Sequence, residues 1–146
     1  MTNTTVTSDL SVLLHAWTDA VNEHDPDKAV SYVSEDVVFT NVGTGERHLG
    51  REATRADIAN LLTMYSQVHF EVVGEVIGED RWTKEWVLTG VHTGDVPGLP
   101  ATGKPFRLLG SGVATVRDGL IVDLTEYWNM ADFLAQVGIM PPASDR

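Results

Sequence analysis

The chain has 146 residues, 42% of them hydrophobic and 21% charged, which is enough for one domain with a single core and room for one ligand cavity. Its formal net charge of −11 repels nucleic acid and anionic lipid, and no apolar run reaches the roughly 20 residues of a membrane-spanning helix, so neither partner is expected. Cysteine is absent, which excludes disulfides and thiolate sites, and the start Met1-Thr-Asn-Thr-Thr-Val-Thr-Ser8 carries neither a basic nor an apolar signal stretch, so the cytoplasm is the default compartment.

Residues 1–8 read as a flexible polar leader, 9–140 as one domain and 141–146 as a tail. Ser8 or Asp9 can cap a first helix in which Leu10, Leu13, Leu14, Trp17 and Val21 recur at helical spacing. The helix should stop near Asn22, where Glu23-His24-Asp25-Pro26 breaks the pattern. Asp25 as N-cap, with Pro26 at the first helical position, starts a short second helix through Val33. Val37 to Asn41 reads as a short strand and Gly43-Thr-Gly45 as a turn. A third helix spans Arg51 to Tyr65 and buries Ile58, Leu61, Leu62 and Tyr65. From Val68 the pattern changes to strands: Val68–Ile77, Trp82–Thr93, Phe106–Arg117 and Leu120–Trp128. The turns Gly78-Glu-Asp80 and Asp118-Gly119 join them as hairpins. A Gly/Pro-rich loop, Gly94 to Pro105, interrupts the series, and a loop of that length is often functional. Asn129 caps a last helix carrying Met130, Phe133, Leu134 and Val137, ended by Gly138 and Pro141-Pro142. Helices followed by a long antiparallel meander make an α+β domain.

The last strand carries the main chemical signal. One face holds Val122, Leu124, Glu126 and Trp128, the other Ile121, Asp123, Thr125 and Tyr127. The first face is more apolar and should turn inward, taking Glu126 with it. A desolvated carboxyl has a raised pKa and becomes a proton donor or acceptor near neutral pH. The blander alternative ends strand and burial together near 126, leaving the carboxylate solvated or paired with an arginine. If Glu126 faces a cavity, strand pairing brings Leu108, Gly110 and Gly112 to the same side, joined by Trp86, Leu88, Gly90 and His92. His92, at the expected mouth of such a cavity, can orient Glu126, shuttle its proton or polarise a carbonyl, or it can simply tie the loop. Asn41 can donate to a developing enolate oxygen or cap the turn at Val42-Gly43. Trp17, Tyr65, Trp86, Phe106 and Trp128 offer aromatic surface for a flat ligand, each with core packing as the alternative. His15, His24 and His48 read as surface residues, and His69 lies on a strand of undetermined face. No spacing of histidines and carboxylates suited to a metal appears, and no phosphate or nucleotide fingerprint is present, so neither metal nor cofactor is expected.

The run Leu10–Trp17, Asp36-Val-Val-Phe39, Gly90-Val-His-Thr-Gly94, Pro100-Ala-Thr-Gly-Lys-Pro105 and Val116-Arg-Asp-Gly-Leu-Ile-Val122 with Glu126 and Trp128 resembles the SnoaL-like polyketide cyclases of the nuclear-transport-factor-2-like superfamily. That resemblance implies a cone-shaped, curved antiparallel sheet with three N-terminal helices and a short C-terminal helix around an apolar pocket, and pairing into homodimers. It places the acid/base carboxylate at Glu126, glutamate standing where aspartate is usual, and puts Gly112 where a pocket histidine is common. The proton-shuttling aspartate of the related ketosteroid isomerases falls at Asn41, an amide that is no general base. Limonene epoxide hydrolase is similar in an asparagine near Asn41 and an acid near Glu126, while Lys84 and Trp86 stand where it uses an arginine and an aspartate. The combined expectation is a cofactor-free acid/base enzyme for a hydrophobic polyketide- or terpenoid-like carbonyl compound, working as aldol-type cyclase, isomerase or dehydratase. An epoxide hydrolase of this fold and a non-catalytic small-molecule-binding domain are the alternatives. The site would comprise Glu126, His92 and Asn41, with Trp17, Tyr65, Trp86, Leu88, Phe106, Leu108, Gly112 and Trp128 against the substrate.

Overall fold

The computed structural model describes residues 9–96 and 98–139. The leader, Ser8 as a cap, Pro141-Pro142 and the tail lie outside them. The described residues form α1 (Asp9–Asn22), α2 (Pro26–Val30), β1 (Val33–Asn41), β2 (Glu46–Leu49), α3 (Arg51–Met64), β3 (Tyr65–Ile77), β4 (Arg81–His92), β5 (Pro105–Arg117), β6 (Leu120–Trp128) and α4 (Met130–Gln136). The strands make one six-stranded sheet in the order β2-β1-β6-β5-β4-β3. Every neighbouring pair is antiparallel except β1 with β6, which run parallel. This is the expected α+β architecture, a curved open sheet with helices packed on it.

Local signals account for much of it. Asp25 caps α2 by accepting from Lys28 N, with Pro26 opening the helix, and Asn129 caps α4 by accepting from Ala131 N and Asp132 N. The inner stripe of α1, Leu14, Trp17, Thr18, Ala20 and Val21, is buried. Its last residue, Asn22, then serves the edge strand: its amide donates to Phe70 O at 2.8 Å and accepts from Phe70 N at 2.7 Å. One side chain thus replaces the missing neighbour of β3 at that point.

Several boundaries move. α2 ends at Val30, and the chain enters β1 at Val33 rather than continuing as helix. β1 is correspondingly longer than Val37–Asn41, its buried positions Val33, Val37 and Phe39 separated by exposed Glu35 and Asp36. α3 stops at Met64, and Tyr65 opens β3 in extended conformation. Leu61 and Leu62 are only half-buried, and Thr54 joins Ile58 as the buried pair of α3. β2 had no sequence signal, because Glu46-Arg-His-Leu49 is a short, polar edge strand without apolar alternation. In β6 the register shifts by one residue where Thr115 and Val116 face Asp123 and Ile121. This bulge turns Ile121, not Val122, into the core: Ile121 is fully buried and Val122 only partly. The inward face therefore follows the expected alternation only from Leu124 onward.

Two apolar clusters fill the interior. The first is mainly aliphatic and joins α1, α2 and β1 to the β5–β6 turn end through Leu14, Ala20, Val33, Val37, Ile121 and Leu124. The second is largely aromatic and joins β3, β4 and β5 to α4 through Trp86, Leu88, Phe106, Leu108 and Phe133. The cavity opens between them.

Candidate functional site

A cavity of about 450 Å³ lies on the inner face of the sheet, within the size range of small-molecule sites. Trp17, Ile58, Leu61, Tyr65, Phe70 and Trp86 contribute to its wall, as do Leu88, Phe106, Leu108, Trp128 and Phe133. Asp95, Val96 and Leu99 of the Gly/Pro-rich loop border it too. The loop is fixed by backbone pairing of Val96 with Leu99, by Ala101 N donating to Asp95 Oδ1 and by Gly94 N donating to Met64 O.

The polar part of the wall comes from one lateral row of the sheet. Lys84 pairs with Gly112, Gly112 with Glu126, Glu126 with Asn41 and Asn41 with Glu46. Residues directly opposite one another share a face, so the row sets Lys84, Glu126, Asn41 and Glu46 side by side. Gly112 is the gap. A Cβ there would sit 2.7 Å from Glu126 Oε2 and 2.9 Å from Oε1, so the glutamate carboxyl occupies the room a side chain would need. Gly112 therefore does not line the cavity as a substrate contact. It makes space for the carboxyl of Glu126, which does line the cavity. Gly110, two residues earlier, likewise yields its space to the Trp86 ring.

The carboxyl of Glu126 accepts a hydrogen bond from Trp86 Nε1 at 2.8 Å. Burial pushes its pKa above the ordinary carboxylate value, partly opposed by the nearby Lys84 charge and by the Trp86 bond. Lys84 is 3% exposed. Burial lowers its pKa, and Glu126 pulls it back up. Its Nζ donates to Thr18 Oγ1 at 3.2 Å, and Thr18 Oγ1 donates to Leu14 O at 2.9 Å. The result is an acid and an amine in one dry wall, each driven towards neutrality by desolvation and towards charge by the other.

Asn41 takes the capping role with its oxygen. Its Oδ1 accepts from Trp128 Nε1 at 2.7 Å and from Thr44 N at 3.1 Å, which caps the turn and fixes the tryptophan. Two donors on the oxygen leave the amide N–H groups for the cavity, where no described residue takes them. Tyr65 also lines the cavity, and burial raises its phenol pKa, so it keeps its proton.

His92 is corrected by its position. The ring is fully buried and is absent from the cavity wall. Nδ1 bonds Thr102 Oγ1 at 3.0 Å, while the backbone of His92 exchanges bonds with Lys104 O and Gly103 N. Tyr65 and Phe133 cover it, with ring centroids 5.9 and 5.7 Å away. It ties the loop to β4 instead of reaching a ligand. Asn41, Glu126, Trp17, Tyr65, Trp86, Leu88, Phe106, Leu108 and Trp128 do meet at the cavity.

The sequence placed Lys84 only by likeness to a hydrolase arginine and His48 at the surface, and it gave no sign of Thr18, Glu46 or Asp57, yet all five border the cavity. Lys84 was open to discovery, because it alternates with Trp82, Trp86 and Leu88 on the inward face of β4. His48 is not a free surface residue: its side chain is 18% exposed and its Nε2 lies 3.3 Å from Asp57 Oδ1. Glu46, His48 and Asp57, which no sequence spacing links, bring one potential ligand atom each within 4.8 Å of one another. His15 and His24 bond Glu75 and Val68 O respectively, and His69 is exposed.

The profile of the SnoaL-like polyketide cyclases matches residues 11–137. The chain belongs to this family. Solved structures share its fold. A proposed polyketide cyclase of Xanthomonas campestris pv. campestris superposes with a TM-score of 0.82 at 28% identity, covering 89% of this chain and 97% of the other. One from Pseudomonas putida KT2440 gives 0.82 at 24% identity, over 91% and 100%. A protein of ketosteroid isomerase-like fold from Catenulispora acidiphila, solved with trimethylamine, gives 0.78 at 22%, over 88% and 93%. No curated protein matches the sequence. Among the described residues of this SnoaL-like chain, no helix is long and apolar enough to cross a membrane.

Proposed function

We propose that this SnoaL-like protein is a cofactor-free acid/base enzyme acting on a hydrophobic polyketide- or terpenoid-like carbonyl compound, as an aldol-type cyclase, isomerase or dehydratase. One observation carries the reading: Glu126 presents its carboxyl to an apolar cavity, held by Trp86 Nε1 and set between Lys84 and Asn41 in the sheet. Glu126, as carboxylate, removes a proton from the carbon next to a bound carbonyl. The electron pair moves into the C–C bond and the carbonyl oxygen becomes an enolate. The free amide hydrogens of Asn41 and the ammonium of Lys84 stabilise that oxygen. The enolate carbon then attacks a second carbonyl of the same folded substrate, or is reprotonated elsewhere, and Glu126 returns the proton. A positioned general base contributes about 10²–10⁴-fold, and holding the substrate in reactive geometry adds to ring closure.

Epoxide opening is the second reading, favoured by Lys84 joining Asn41 and Glu126 at one wall. Glu126→Gln decides the acid/base role. Turnover of polycyclic β-carbonyl substrates is expected to fall by about 10²–10⁴-fold while substrate binding, followed by tryptophan fluorescence, persists. Undiminished turnover removes the proposal. Binding without conversion by the wild type assigns a binding domain, and diol formation from small cyclic epoxides assigns the hydrolase.

A homodimer through the outer face of the sheet belongs to the same reading. Val76, Leu109 and Tyr127 expose 71%, 64% and 48% of their surface there, which is costly in water for a lone chain. Light scattering is expected to give twice the chain mass of 15.9 kDa, and a Leu109→Glu, Tyr127→Glu variant the single mass.

A further inference from the structure

We propose that Glu46, His48 and Asp57 form a binding site for one divalent transition-metal ion at the wall of the cavity, separate from Glu126. Glu46 and His48 are two residues apart on β2 and so project from one face of the strand, and α3 brings Asp57 over that face. One ligand atom from each, all within 4.8 Å of one another, converges there. Metal–ligand bonds of about 2.0–2.2 Å in a tetrahedral shell hold ligand atoms about 3.3–3.6 Å apart, so the widest pair closes by about 1 Å or slightly more. Glu46 is exposed and its side chain is free to make that adjustment.

The second observation concerns His48 itself. Its Nε2 is buried and makes no hydrogen bond, although Asp57 Oδ1 is only 3.3 Å away. Ser34 Oγ, Trp82 Nε1 and His92 Nε2 are also buried without a hydrogen bond, but of these four residues only His48 stands in a group with two carboxylates. Phe39 packs beside the ring, with centroids 5.6 Å apart, and holds it in place. A cation at the centre of the three groups would take the Nε2 lone pair and neutralise both carboxylates together.

One imidazole with two carboxylates suits Zn²⁺, Mn²⁺, Fe²⁺ or Co²⁺. Mg²⁺ and Ca²⁺ favour all-oxygen shells, and Cu⁺ favours thiolates. Three protein ligands leave coordination open, and all three residues border the cavity, so an oxygen of a cavity ligand can complete the shell. Asn41 stands between the two stations, pairing with Glu126 on one side and Glu46 on the other. With strands about 4.8 Å apart, the two acid positions are about 10 Å from each other along the row, the span of a multi-ring ligand.

The test uses the tag-free full chain, stripped with chelator and titrated calorimetrically with Zn²⁺ and Co²⁺. Saturable binding at one ion per chain is expected, together with visible absorption from the protein-bound Co²⁺. His48→Gln and Asp57→Asn should each weaken binding at least about 10-fold, since even residues that only support a ligand have effects of that size. Glu126→Gln should bind as the wild type does, which separates this site from the acid/base proposal. Circular dichroism checks that each variant is folded. No saturable binding by the wild type, equal binding by folded His48→Gln, or displacement of Co²⁺ by equimolar Mg²⁺ would each overturn the site.

Discussion

The two interior clusters show how one small sheet separates holding together from doing chemistry. The aliphatic cluster has no titratable member, and its branched side chains, Leu14, Val33, Ile121 and Leu124, are 0–1% exposed. The aromatic cluster rings a hollow. Phe106, Phe133 and Tyr65 meet edge to face, with centroids 5.1–5.6 Å apart, and Trp86 carries a polar N–H to the acid. Away from the cavity, Leu14, Val33, Ile121 and Leu124 interdigitate and leave no gap, while Trp17, Val21, Phe39 and Ile58 of the same cluster border the hollow. Rigid rings braced against one another can line a gap without collapsing into it, while their polar edges still find partners.

Truncation should break that contrast most visibly. Leu14→Ala is expected to cost about 2–5 kcal/mol of stability in urea unfolding, because its site is packed on all sides. Leu88→Ala should fall at the lower end of that range, since its side chain already faces open volume, yet it should weaken ligand binding where Leu14→Ala does not. Equal costs at the two sites would mean that the cavity is filled in solution.

Titration sharpens the contrast with a smaller effect. The folded pKa of Glu126 lies above the usual 4.5, so between these two values the folded chain holds a proton that the unfolded chain has lost. Stability therefore falls as pH rises through that window. Lys84 has a folded pKa below 10.5, so the folded chain sheds a proton first and stability rises with pH between its lowered value and 10.5. The melting temperature of the wild type relative to Glu126→Gln is expected to decline as pH rises from 4.5 through the raised pKa of Glu126. Leu14→Ala should displace the whole curve without changing its shape. Parallel curves for the wild type and Glu126→Gln would show the carboxyl to be solvated.

Much of the frame was legible because its signals are local. Asp25-Pro26 and Asn129 announce helix starts, and Asp118-Gly119 sets the hairpin that leads into β6 from Leu120. Alternation turned Glu126 inward correctly from Leu124 on, but it could not detect the bulge that exchanges Val122 for Ile121. His92 carried a chemical residue type at a plausible strand end, and only the packing of Tyr65 and Phe133 shows it walled off from the cavity.

What the sequence alone determined is the order and type of every element but β2, and the face on which the last strand carries its acid. Periodicity and capping depend on near neighbours, and these are written in the chain. The tertiary structure decided who stands beside that acid: Lys84 across the gap at Gly112, Asn41 on the other side, and farther along the row the Glu46, His48 and Asp57 group. These residues come from β1, β2, β4 and α3, and no linear spacing encodes their meeting, because inter-strand register is set by bulges and turns summed over the whole sheet.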